Sequence, residues 1–125
     1  MTLGEIKEIL HAELLTDNVD LSRTVQSACA SDMMSDVLAF TESNALLLTG
    51  LMNPQTIRTC EIAEASAIVF VRGKRPTPTL IALANEKGIP LLRTDFCMYD
   101  ACGRLHEQGL CGVTEKVKKL LVEHG

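Results

Sequence analysis

The chain has 125 residues, of which 46% are hydrophobic and 3% are aromatic, so we expect a single domain with a core of aliphatic side chains. Its formal net charge of −4 argues against general binding to nucleic acids, because such binding needs clustered basic side chains that face phosphates. The sequence shows neither a signal peptide nor an apolar run of membrane length, and its five cysteines are an odd number. We therefore expect reduced thiols and a cytoplasmic location.

The first third of the chain predicts two helices separated by a strand. Thr2 and Glu5 have the spacing of a capping box, and the apolar residues after them recur at helical spacing, which predicts the first helix. A short apolar stretch over residues 12–16 leads into a polar turn. Residues 24–30 are small or β-branched and predict a strand, after which Ser31 is expected to cap the second helix.

From residue 45 onwards, the signals for strands and helices alternate. Three short apolar runs predict buried strands over residues 45–49, 67–71 and 89–92. Asn53 and Thr77 each precede a proline, and this pair of a capping side chain and a proline predicts the start of a helix after each of the first two runs.

Two further helices are predicted after the last strand. Thr94 or Asp95 is expected to cap the first of them, and Gly109 is expected to end it. The second is predicted from Thr114 onwards. Because continuous apolar strands alternate with helices, the fold class is predicted to be α/β, with a mostly parallel central sheet that is covered by helices on both faces.

Similarity to a known family is carried by five stretches of sequence. They are residues 32–40 (DMMSDVLAF), 46–59 with the runs LLLTG and NPQTIRT, 67–73 (AIVFVRG), 88–92 (GIPLL) and 101–105 (ACGRL). In these stretches the chain resembles the DRTGG domain family, over about residues 1–111, which leaves residues 112–125 as a C-terminal helix expected to pack on the same domain.

The resemblance implies a three-layer α/β/α fold like that of the N-terminal domains of HPr kinase/phosphorylase and of MurF-type ligases. It also implies a regulatory, dimerising or ligand-binding role without an established catalytic site. The five letters that name the family do not occur here as one contiguous run, so the family name transfers no active site.

The candidate ligand site lies in two loops that are expected at the carboxyl ends of neighbouring parallel strands, where open α/β sheets bind ligands in a crevice. Gly50 allows a close approach of the backbone, and the helix start at Pro54 offers free N–H groups to an anion. The second loop adds three cations that can grip phosphate or carboxylate. The predicted ligand-binding residues are Thr49, Gly50, Asn53, Arg72, Gly73, Lys74 and Arg75.

The alternative without a ligand site is that both loops are ordinary connections between a strand and a helix. The basic loop would then be a solvated surface. Neither a Walker A motif nor GxGxxG is present, so classical kinase and dinucleotide chemistry are not predicted.

Two other groups of residues could bind metal. Asp32 and Asp36 share a helical face and either hold a divalent ion or complement the helix dipole. The second group contains Cys97, Cys102, His106 and Cys111, but it lacks the spacing of a zinc knuckle, which favours structural thiols.

The predicted function is a regulatory or sensor domain that forms a homodimer and binds a small anionic ligand. An adenine nucleotide is suggested as the ligand by the association of the family with CBS modules. A ligand-free protein-interaction module and a Cys/His metal or redox protein remain as alternatives. We expect no enzyme activity, cofactor, nucleic-acid partner or membrane partner.

Overall fold

The computed structural model describes residues 1–114 together with residues 121 and 122. In this part of the chain, helices and strands alternate almost throughout. In chain order, they are α1 (Leu3–Ile9), β1 (Glu13–Leu14), β2 (Ser27–Ala30), α2 (Met34–Phe40), β3 (Ala45–Thr49), α3 (Pro54–Ala63), β4 (Ala67–Phe70), α4 (Pro78–Lys87), β5 (Leu91–Arg93) and α5 (Met98–Glu107). The helix predicted from Thr114 falls mainly on residues outside the described ones.

The five strands form one sheet in the order β1-β5-β4-β3-β2. The four strands β2 to β5 are parallel and lie side by side in the order of the chain, whereas β1 pairs antiparallel with β5 through Glu13 and Arg93. The mostly parallel α/β sheet is therefore as predicted. The edge strand β1 was not predicted, because two residues are too few to show an alternating pattern.

Helices cover both faces of the sheet and give three layers. Along β3, Leu46 and Leu48 point into one apolar cluster and Leu47 into the other, which explains why a continuous apolar run forms a strand. The first cluster contains side chains of α1 and α5, and the second contains side chains of α2, α3 and α4. Because β2 to β5 follow one another in order, the three helices that connect them share one face.

Three of the predicted helix starts are found with their capping bonds. Thr2 and Glu5 form the complete capping box of α1. The Asn53 side chain accepts from the Thr56 N–H at 3.2 Å at the start of α3, and Thr77 caps α4 in the same way. Each of these bonds gives a partner to an N–H group near the start of a helix, where N–H groups lack the usual bond to a carbonyl four residues earlier.

Two predicted caps are wrong, because the hydroxyl groups are used elsewhere. The helix α2 has its N-cap at Met33, and the Ser31 hydroxyl instead accepts from the Met33 N–H at 3.0 Å in the preceding turn. The helix α5 has its N-cap at Cys97 rather than at Thr94 or Asp95. The Thr94 hydroxyl is buried and donates to the carbonyl of Leu10 at 2.7 Å, so a tertiary contact overrides the local signal.

No helix among residues 1–114, 121 and 122 combines the length and the apolar character that crossing a membrane would require.

Candidate functional site

The four loops that follow β2, β3, β4 and β5 meet at the carboxyl edge of the parallel sheet. Two of them are joined through their backbones, since the N–H of Arg72 donates to the carbonyl of Phe96 at 2.7 Å and the N–H of Gly73 donates to the carbonyl of Thr94 at 2.8 Å. Arg72 and Gly73 both have positive φ, of 65° and 69°. These bonds hold the backbone of the loop after β4 in a conformation that is unusual for Arg72.

The side chain of Asp32 links the loop after β2 to the loop after β3. Its Oδ1 accepts from the Gly50 N–H at 2.7 Å and from the Thr49 hydroxyl at 2.9 Å. The Gly50 N–H holds the pKa of Asp32 below its ordinary value, helped by the Thr49 hydroxyl and by the charges of Arg72 and Lys74 against the opposing effect of partial burial. The edge of the sheet therefore stabilises a negative charge at this position.

The guanidinium group of Arg72 lies directly over Gly50. A Cβ atom on Gly50 would come within 2.6 Å of Arg72 Nη2 and within 3.6 Å of Asp32 Oδ1. Gly50 is buried, so its missing side chain creates the space in which the guanidinium lies. We call Asp32, Thr49, Gly50 and Arg72 the Asp32 cluster.

Arg75 and Gly73, in the same predicted loop, contact a different set of residues. Arg75 binds Glu13 with both contacts from Nη2, at 2.7 Å and 3.1 Å, and Arg93 approaches the same carboxylate at 3.3 Å. The hydrogen bond from Arg75 is the main reason that the pKa of Glu13 is lowered. The carbonyl of Gly73 accepts from Arg93 Nη2 at 2.9 Å. We call Glu13, Arg75 and Arg93 the Glu13 cluster.

Asn53 lies outside both clusters. Its side chain caps α3 and, together with Thr77, lines a groove of about 480 Å³ between α3 and α4. The structure thus brings Thr49, Gly50 and Arg72 together, and it places Lys74 close enough to act on the charge of Asp32.

Two N–H groups of the loop after β3 already have hydrogen-bond partners within the protein. The Gly50 N–H donates to Asp32, and the Leu51 N–H donates to the Thr49 hydroxyl at 3.1 Å. From the sequence, Asp32 was predicted only as a possible metal ligand or dipole partner together with Asp36. The signal for its position was that it lies two residues after the end of β2, at the same carboxyl edge where Gly50 follows β3.

The cysteines do not assemble a metal site in the part of the chain that the structure describes, where no group of three or more metal-binding side chains is found. Cys97 is exposed and its thiol donates to Asp100 at 3.4 Å, whereas Cys102 is half-buried. Burial raises the pKa of the Cys102 thiol and raises the pKa of the Cys60 thiol to about 12.

The fold and the loops at its edge define a small three-layer α/β domain with a polar cluster at the ends of its parallel strands. The family model of the DRTGG domain matches residues 5–108, so the chain belongs to the DRTGG domain family, as the sequence predicted. No curated protein matches the chain in sequence.

A solved structure with a similar fold contains the CBS and DRTGG domains of the regulatory region of Clostridium perfringens pyrophosphatase, complexed with the activator diadenosine tetraphosphate. The TM-score is 0.69 and the identity is 16%, with 83% of this chain and 45% of that chain covered. This chain therefore spans less than half the length of that regulatory region. At this identity the similarity shows the fold, and the predicted three-layer architecture is confirmed.

Proposed function

We propose that this DRTGG domain is a regulatory module that binds a small anionic ligand at the Asp32 cluster. The proposal depends mainly on the guanidinium group of Arg72, which has no bonding partner among the described residues. Its guanidinium group is exposed, lies over Gly50, and makes no hydrogen bond or ion pair with the other described residues. Arg75 and Arg93, by contrast, are both paired with carboxylates.

The charges around Gly50 favour an anion. Arg72 and Lys74 both act on the charge of Asp32, so two cations surround one carboxylate. A guanidinium group can grip phosphate or carboxylate through two parallel hydrogen bonds, and an ammonium group adds a second positive charge. A ligand with a phosphate group would therefore use donors that the protein leaves available.

An adenine nucleotide is the ligand class that we favour. The groove between α3 and α4 begins at Asn53 and Thr77, which end the two loops that contain Gly50 and Arg72. Leu80 and Leu83 give this groove apolar lining, and Arg58 contributes polar donors. A phosphate at Arg72 with its base in the groove would use both features. The pyrophosphatase regulatory region that shares the fold was solved with a nucleotide activator.

We also propose that the domain forms a homodimer. The helices α2 and α3 pack side by side and expose large apolar side chains, with Met33 60%, Leu38 49% and Ile62 69% exposed. A symmetric contact through these side chains would remove apolar surface from water. Sedimentation velocity tests this point, and a monomer at concentrations near 0.1 mM would contradict it.

Calorimetric titration tests the ligand site. We expect diadenosine tetraphosphate, ATP or inorganic pyrophosphate to bind, and we expect Arg72→Gln to weaken binding about tenfold or more, since one charge-assisted contact contributes roughly 1.5–3 kcal/mol. Arg75→Gln is the matched control, because Arg75 already binds Glu13, and it should change the affinity little. Absence of binding at millimolar ligand, or equal affinity for Arg72→Gln and the wild type, would refute the site.

A ligand-free protein-interaction role is the second candidate. It is favoured by a groove of about 520 Å³ between α5 and the edge strand β2, where Tyr99 is 86% exposed beside apolar lining that includes Leu48 and Leu110. Capture of a defined partner protein in the absence of any nucleotide, lost in Tyr99→Ala, would favour this role over the sensor.

A further inference from the structure

The carboxylate of Asp32 occupies a position that suits the anion of a ligand. It accepts one hydrogen bond from a backbone N–H at the end of β3 and one from a hydroxyl group, beside the exposed guanidinium of Arg72. Backbone N–H groups, hydroxyls and guanidinium groups are the donors with which proteins hold phosphate and carboxylate. The protein thus holds its own carboxylate with the donors that a bound anion would use.

The same contact holds the start of α2 against the sheet. This helix has only seven residues, and its N-cap, Met33, makes no side-chain capping bond. Asp32 immediately precedes Met33, and its bonds to Gly50 and Thr49 fix the chain at the entrance to the helix. The backbone bond from the Ser31 N–H to the carbonyl of Leu48, at 3.1 Å, ends β2 just before this point.

Resting on the proposed function, we propose that Asp32 is an internal competitor of the anionic ligand. The phosphate or carboxylate of the ligand takes the hydrogen bonds of the Gly50 N–H and the Thr49 hydroxyl, and the displaced Asp32 releases the start of α2. The exposed side chains of Met33, which precedes this helix, and of Leu38, which lies on it, then change position together with it.

This exchange couples ligand binding to an apolar surface. A ligand shifts an equilibrium only as far as it binds the two states differently, and here the difference is the presence or absence of Asp32 in the site. The coupling is reciprocal, so a partner or second protomer that holds α2 in the released position raises the affinity for the anion.

The test compares Asp32→Asn with wild type, using inorganic pyrophosphate as the probe in calorimetric titrations. The amide keeps an oxygen acceptor for the Gly50 N–H but removes the charge that repels the probe. We expect pyrophosphate to bind Asp32→Asn about fivefold more tightly, the effect of one nearby charge at a solvent-exposed site. Asp36→Asn is the matched control, since Asp36 lies in the first turn of α2 and makes no bond to the site. It should change the affinity less than twofold.

Amide hydrogen exchange of residues 34–40 gives a readout that does not depend on affinity. We expect faster exchange in α2 when pyrophosphate binds the wild type, and the same increase in ligand-free Asp32→Ala, in which the contact is removed. Equal or weaker pyrophosphate binding by Asp32→Asn, or an α2 exchange rate that Asp32→Ala leaves unchanged, would overturn the competitor mechanism and leave the anion site standing. Failure of every variant to bind any anion would overturn the proposed function, and the competitor mechanism with it.

Discussion

Replacing Gly50 by alanine should separate the stability of the domain from the anion binding that we propose. The new Cβ atom would lie 2.6 Å from Arg72 Nη2, and an ordinary van der Waals contact needs at least 3.4 Å, so the guanidinium must retreat by the difference of 0.8 Å or more. The atom that must move is the end of a long, exposed side chain. The next atoms, Arg72 Cζ at 3.5 Å and Asp32 Oδ1 at 3.6 Å, are already at ordinary contact distances.

The cost to folding should therefore be small. Gly50 is not among the glycines with positive φ, so alanine can adopt its backbone conformation. Alanine also reduces the conformational entropy of the unfolded chain, which contributes about 0.4–1 kcal/mol in favour of the folded state and offsets the displacement of Arg72. We expect the free energy of unfolding to change by less than about 1 kcal/mol.

The affinity for an anion should change far more than the stability does in Gly50→Ala. With Arg72 displaced from Gly50, the affinity for pyrophosphate should fall about tenfold or more, as for Arg72→Gln. The assay pairs urea unfolding, followed by circular dichroism, with calorimetric titration. Gly103→Ala in α5 is the control, because a Cβ there meets nothing within 4 Å and should leave binding unchanged. Wild-type affinity in Gly50→Ala, or a loss of more than about 3 kcal/mol of stability, would refute the reasoning.

The remaining predictions concern a cap, a carboxylate and a thiol. Asn53→Ala removes the side-chain bond to the Thr56 N–H, and urea unfolding should show a loss of about 1 kcal/mol; an unchanged midpoint would contradict the capping role. The pKa of Asp32 is lowered on folding, so its contribution to stability is present above the ordinary aspartate pKa and is lost as the pH falls through the lower, folded value. Urea midpoints measured between about pH 5 and pH 2 should therefore fall less steeply in Asp32→Asn than in the wild type, and parallel curves would count against the contact. Burial raises the pKa of the Cys60 thiol to about 12, so a thiol reagent at pH 8 should modify the exposed Cys97 and Cys111 quickly and Cys60 only after unfolding; rapid modification of Cys60 in the native protein would be inconsistent with its buried position.

The elements that could be predicted from sequence are those whose signals are local. Asn53 and Thr77 cap their helices because the N–H groups that they satisfy lie three residues away. Thr94 carries the same kind of hydroxyl group, but its hydrogen bond goes to Leu10, 84 residues earlier in the chain. No local pattern distinguishes the two cases, because the difference depends on where α1 packs.

In the candidate site, too, contacts that follow from local sequence could be predicted, whereas contacts between residues distant in the chain could not. That Gly50 and Arg72 follow neighbouring strands could be predicted, and their approach at one edge of the sheet follows from parallel pairing. The pairing of Arg75 with Glu13 could not be predicted from the sequence. Glu13 lies 62 residues away, on a strand that is too short to recognise. In the sequence Arg72 and Arg75 belong to one basic loop, but in the structure Arg72 belongs to the Asp32 cluster and Arg75 to the Glu13 cluster.

The order of the strands bears on how open the proposed site is. Ligand crevices in α/β sheets form where the strand order reverses and helices leave on opposite faces. Here β2, β3 and β4 are consecutive, and the helices that follow them, α2, α3 and α4, lie on one face, so the strand order does not reverse where the loops of the Asp32 cluster meet. A site away from such a reversal buries less of a ligand than a crevice does, and the proposed competition by Asp32 would lower its affinity for anions further. Both features favour a weak anion site whose affinity rises when a partner or a second protomer binds to another surface of the domain. Such coupling between ligand binding and assembly is expected of a regulatory module.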